Sequence, residues 1–184
     1  MASPDSTSLV ASLKDALPDV GVEVVPTVDL HATIFVSRDD MPAVARTLRD
    51  RPDLAFTLLA EITAVDFWPR EPRYELVYVL VSISRRQRLR LKVRLQGGDA
   101  HVATVCAVWP SANWLEREVW DLFGIAFDGH PDHRRLLMPE DWDGHPLRKD
   151  YPVQIRMTPH SAEPLQVTVE EFRANVAKDR LARE

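Results

Sequence analysis

Between Trp109 and Pro152 the chain gathers acids, bases, imidazoles and indoles more densely than anywhere else. Glu116, Glu118 and Asp121 invite an acid–base reading, because paired carboxylates can cleave a glycosidic or phosphate bond. Glu116 and Glu118 are two residues apart on a helical pattern, so their side chains diverge and cannot flank one bond. His130, His133 and His145 lie among acids and suggest zinc, which takes imidazole and carboxylate ligands. Their spacings are not those of the usual zinc sites. His130 and His145 each precede a proline, in Asp128-Gly129-His130-Pro131 and its echo Asp143-Gly144-His145-Pro146, so both belong to extended or turning backbone. Loop histidines bonded to backbone are the commoner outcome.

Arg134, Arg135, Arg148 and Lys149 bracket this loop. Guanidinium forks bind carboxylates within a chain or across an interface. Four of the five tryptophans, Trp109, Trp114, Trp120 and Trp142, fall in the same stretch. Trp with Arg is the mark of an interface anchor. Trp109 and Trp142, flanked by Pro110 and by acids, fit an interface best, whereas Trp114 and Trp120 are equally suited to a thin core.

The rest of the chain must hold this block. Leu9, Val10, Leu13 and Ala16–Leu17 recur at helical spacing over 6–17, ahead of Pro18. Val22–Val25 and Leu30–Val36 read as a β-hairpin. Asp39–Asp50 is a second helix with Pro42 in its first turn and Ala43, Val44, Thr47 and Leu48 as its inner stripe. Ala55–Asp66, Tyr74–Ile83 and Arg88–Leu95 read as strands. Tyr74–Ile83 is apolar on both faces, as a strand covered on both sides would be. Leu89, Leu91, Val93 and Leu95 alternate with Arg88, Arg90, Lys92 and Arg94, which sends a row of cations to the outer face.

The order α-β-β-α-β-β-β predicts an α+β fold in two layers, a mixed or antiparallel sheet with helices on one face. A further helix starts near residue 113, with Asn113 as its cap, Glu116 reciprocating, and Arg117 pairing with Asp121. Leu115, Val119, Leu122 and Phe123 form its stripe, and Gly124 ends it. The expected organisation is a core at 1–109, a signature helix and docking loop at 110–152, and a tail at 153–184, with a polar helix within 167–181.

Bulk properties narrow the function. A length of 184 residues, 45% hydrophobic and 28% charged, suits one ordinary domain with a tail. A net charge of −5 excludes a general nucleic-acid binder, and the Arg88–Arg94 row is better read as a solvated strand face. Cys106 is the sole cysteine, so it supports neither a disulfide nor a cluster, and its apolar neighbours mark it as a small core residue. The six glycines make no Gly-x-Gly-x-x-Gly fingerprint. No signal peptide is apparent at the N-terminus, and the longest apolar run falls far short of a bilayer's width.

The spacing of Glu116-Arg117-Glu118, Asp121-Leu122-Phe123, His130, Arg134 and Leu136–Leu137 resembles the signature of the C-type (30 kDa) subunit family of respiratory complex I, the NADH–quinone oxidoreductase. Leu136–Trp142 and Gly144–Pro152 extend the likeness, while His133 replaces what is more often an apolar residue. The resemblance implies a peripheral-arm subunit that binds no flavin, cluster, nicotinamide or metal itself. Those groups and the quinone would belong to partners, chiefly the large quinone-site subunit and its cluster-bearing neighbour. It also implies a peripheral place on the cytoplasmic face of the bacterial plasma membrane. Partner-contact candidates are Trp109, Glu116, Arg117, Glu118, Asp121, His130, Arg134, Arg135, Trp142, His145, Arg148 and Lys149, with no catalytic residue. The alternative is the equivalent subunit of an energy-converting hydrogenase or a ferredoxin-fed quinone reductase.

Overall fold

A five-stranded sheet with its helices gathered on one face organises the chain. The computed structural model describes residues 4–27 and 31–152. The expected tail and its polar helix lie outside the described residues. Helix α1 runs Pro4–Ala16, strand β1 Glu23–Val25, β2 Ala32–Val36 and α2 Met41–Asp50. Then come β3 Leu58–Asp66, β4 Tyr74–Ser82, β5 Gln87–Leu95, β6 His101–Ala103, α3 Ala112–Phe123 and β7 Ala126–Asp128. The α+β order expected from periodicity is the order found. The sequence pattern did not reveal β6 and β7, which form a small parallel pair.

In the large sheet the strands lie β1-β2-β5-β4-β3. β1 and β2 form the anticipated hairpin, and β3, β4 and β5 are antiparallel neighbours. β2 and β5 run parallel, Ile34 beside Leu91, which makes the sheet mixed. Parallel neighbours need a long crossover, and the path through α2, β3 and β4 supplies it.

One face of the sheet makes the core. Ile34, Leu76, Tyr78, Leu80, Leu89, Leu91 and Val93 are fully buried, in one cluster with Leu13 of α1, Leu48 of α2 and Val119 of α3. Burying each such side chain contributes about 1.5–3 kcal/mol. α3, which follows residue 109, packs on β3 within the same unit.

Three expectations need correction. The buried stripe of α2 is Met41, Val44, Ala45 and Leu48, while Ala43 is exposed, because the helix starts at Met41 and its inner face is turned accordingly. Ala55 is not in a strand. It closes a turn at φ +47°, its amide donating to the Arg51 carbonyl at 2.7 Å. β4 is internal to the sheet, but only one of its faces is sealed. Its second face carries Val79 and Val81, half-buried, and no helix among the described residues lies over it.

Candidate functional site

The signature block folds around α3. Two loop histidines clamp the two ends of this helix. Gly129 and Gly144, the glycines of the repeated Asp-Gly-His-Pro, both sit at φ +78°, a left-handed turn glycine adopts cheaply. In the first copy, His130 Nε2 donates to the Asn113 carbonyl (3.1 Å) and Nδ1 accepts the Asp132 amide (3.0 Å). In the second, His145 Nδ1 donates to the Asp121 carbonyl (2.9 Å). A helix leaves its last carbonyls without partners. Here His145 takes that of Asp121, the Leu147 amide that of Leu122, and Arg148 those of Phe123 and Gly124. Gly124 itself is the left-handed cap at φ +72°.

Asp121 holds the middle of the loop. Its buried carboxylate accepts the amides of Leu136, Leu137 and Met138 at 3.0, 2.8 and 2.9 Å, and Arg135 Nη1 at 2.7 Å. Burial opposes the charge, yet these four donors together hold the carboxyl below its usual range. Arg135 also reaches the carbonyls of Trp142 and Gly144. Arg117 donates to the carbonyls of Arg134 and Arg135 and stands 3.4 Å from Asp132. The expected Arg117–Asp121 pair is therefore replaced by two separate loop braces.

Asp66 pins the far end. At the close of β3 it accepts the Trp68 and Lys149 amides and both arms of Arg73, which in turn binds Asp150 at 2.6 Å. Burial again works against the charge, but Arg73 and the two amides keep the Asp66 carboxyl at about 2. Asp66, Arg73 and Trp68 escaped the sequence reading. A carboxylate at the inward-facing end of a strand was the available signal.

Glu116 is not a capping residue. The helix begins at Ala112, so Glu116 lies past the first turn and faces inward, fully buried. It accepts the Thr104 hydroxyl, the Val105 amide and the Cys106 thiol at 2.5, 2.8 and 3.5 Å. Burial pushes its carboxyl up, and those donors oppose the shift. Cys106, Glu116 and His130 bring ligand atoms within 4.8 Å of one another. Two of these three donors are already engaged or protonated. His130 spends its only ring lone pair on the Asp132 amide, and the thiol is pushed up to about 11 by burial, far from the thiolate that binds metal.

The tryptophans divide differently from expectation. Trp109 is a core residue, its Nε1 donating to the Phe56 carbonyl at 3.0 Å. Trp142 is half-buried and stacked on Tyr151. Trp114 is 59% exposed, with Leu137 at 58% and Leu147 at 50% on the same block, and Trp68 is exposed beside it in the β3–β4 loop. Arg134 chelates Asp132, Glu118 is half-exposed, and the Lys149 side chain faces solvent. Arg117, Asp121, His130, Arg135, His145 and Arg148 thus bond within the chain and brace the loop, while Glu116 bonds to the segment ahead of α3. The side chains left outward mix the apolar Trp114, Leu137 and Leu147 with the charged Arg134, Glu140, Asp141, Asp143 and Lys149.

Comparison with known proteins fits this construction. The family profile described as "Respiratory-chain NADH dehydrogenase, 30 Kd subunit" matches residues 34–156. The C-type subunit of NADH-quinone oxidoreductase from Geotalea uraniireducens is 48% identical over 124 residues, 67% of this chain and 74% of the relative. That of a Roseiflexus species is 42% identical over 151 residues, 81% and 85% of the two chains. Among solved structures, the trypsin-resistant fragment of Nqo5 is 31% identical, with a TM-score of 0.56, and is matched over 98% of its length and 67% of this chain. A chain of an archaeal membrane-bound sulfane sulfur reductase is 27% identical at a TM-score of 0.67, over 86% of that chain and 81% of this one. The chain belongs to the 30 kDa subunit family of respiratory-chain NADH dehydrogenase.

Proposed function

We propose that this member of the family is a docking subunit of a cation-translocating NADH–quinone oxidoreductase and carries no redox centre of its own. It would stand in the peripheral arm, against the subunits that form the quinone chamber, and meet the cytoplasmic side of a bacterial membrane only through them. Flavin, clusters and quinone would be held by those partners.

The observation that supports this best is the use made of the signature. Residues 129–152 contain no helix or strand, yet they are fastened at three places, by Asp121, by the carbonyls ending α3 and by Asp66. A loop fixed in advance spares the ordering cost that binding otherwise incurs. Leu137 and Leu147 stand exposed on the loop and Trp114 on α3, apolar side chains of the kind that are buried at the centre of protein interfaces. No helix among the described residues is long and apolar enough to cross a membrane, in keeping with attachment through partners.

The likeness to the sulfane sulfur reductase chain favours a second assignment, the equivalent subunit of a related machine with a different electron input. Affinity purification of the tagged chain from gently solubilised native membranes separates the two. Co-purifying flavin and NADH-oxidising activity are expected here. A nickel-bearing or ferredoxin-dependent partner set would move the chain to the second assignment, and a free chain without partners would contradict both.

A further inference from the structure

The open face of the sheet ends in a corner that the docking loop does not use. Leu58 of β3, Val81 of β4 and Arg88 of β5 stand side by side across three strands. Ile83, just past β4, is 67% exposed, and Leu58 is 43% exposed. The turn that follows adds Arg85 and Arg86. Arg85 donates to the Asp53 carbonyl at 2.8 and 2.9 Å, while the Asp53 carboxylate is taken by Arg51. Arg86 and Arg88 meet no carboxylate among the described residues. An apolar centre rimmed by arginine, on a sheet face that no helix among the described residues covers, has the composition of a protein interface.

We infer that this corner is a second docking surface, which takes an acidic amphipathic segment of a partner protein. Apolar side chains of that segment pack on Leu58, Val81 and Ile83, and its carboxylates meet Arg86 and Arg88. The cations are all arginine, whose planar fork matches a carboxylate bidentately and loses little hydration on burial. Glu61 lies on the same face beside Val79, one pair along from the corner. Farther along this face Lys92 and Arg94 are paired with Glu75 and Glu23, which leaves a short cationic stretch at the corner and suits a peptide segment rather than the broad anionic plane of a bilayer. With the loop platform on α3, this surface would let the chain bridge two partners.

The test places a photoreactive benzoylphenylalanine at Ile83 of the full chain within its native membrane complex. Irradiation should join it to one segment of another subunit in which acidic residues flank apolar ones. Arg86→Glu with Arg88→Glu should lower the yield at least tenfold, and Arg86→Lys with Arg88→Lys should keep most of it. Raising the salt concentration should weaken the adduct of the chain with both arginines in place, a check that needs no charge-reversed variant to fold. Adducts to lipid or to a second copy of this chain, no protein adduct, or a yield indifferent to charge reversal and salt would each overturn the inference. Failure of the loop platform shows separately, as loss of the assembled complex on a native gel, and the adduct is scored in the complex that assembles.

Discussion

Asp121→Ala should release the docking loop while leaving the sheet intact. The carboxylate serves four donors, and each hydrogen bond to a charged group is worth about 1.5–3 kcal/mol. Adding four such terms overstates the effect, since the loop can open and give its amides to water. The cost is then capped by the free energy that keeps the loop closed. What remains is the loss of one partner of a buried pair, about 3–5 kcal/mol, because the Arg135 guanidinium stays largely buried without its carboxylate. Asp121→Asn should recover only part of this, its amide group facing a guanidinium that can only donate. Hydrogen exchange reads the change directly. The amides of Leu136, Leu137 and Met138 belong to no helix or strand, so their protection must come from Asp121. At about 1.4 kcal/mol per decade, exchange should accelerate by roughly two to three and a half decades in Asp121→Ala. The β4 and β5 amides should remain slow. Three amides that already exchange like free peptide in the native chain, or that are unaffected by the substitution, would refute the reasoning.

Two further outcomes follow from the same clamps. Gly124→Ala must place a Cβ in left-handed backbone and against the Arg148 guanidinium and the His145 ring, whereas Gly129→Ala meets nothing nearer than 3.6 Å. Urea unfolding should show about 1–2 kcal/mol lost at Gly129 and clearly more at Gly124; equal losses would contradict the packing described. Burial holds both His130 and His145 below their usual value of 6.5, so the unfolded chain takes up protons first as pH falls. Stability is therefore complete above about 6.5 and declines as pH drops from there toward the lower folded values. Thermal melts across that range should show the decline, and His130→Gln with His145→Gln should flatten it; a flat wild-type profile would remove the histidines from the account.

The fold was largely legible because period-two and period-3.6 patterns are local. Leu89 to Leu95 specified its own burial, and Pro42 and Gly124 marked helix ends as expected. The parallel pairing of β2 with β5 was not legible, since it joins segments more than fifty residues apart. The site was legible as a signature and not as a geometry. Arg117 and Asp121 have helical spacing and opposite charge, yet each finds a better set of donors or acceptors in the loop. Trp109, expected at an interface, lies in the core, and Trp114, left open between core and interface, is exposed, because flanking composition says little about which way a helix turns. Ala112, small and fully buried, lies against the core at the start of α3, and Trp114, two residues on, points away from it.

The most direct test of a preformed docking platform is the amount of assembled complex in membranes carrying Leu137→Asp with Leu147→Asp. Both side chains are exposed, so the isolated chain should melt within a few degrees of wild type. An unchanged melt together with a strong loss of the large membrane complex on a native gel is the expected result. Full assembly with both charges in place would contradict it.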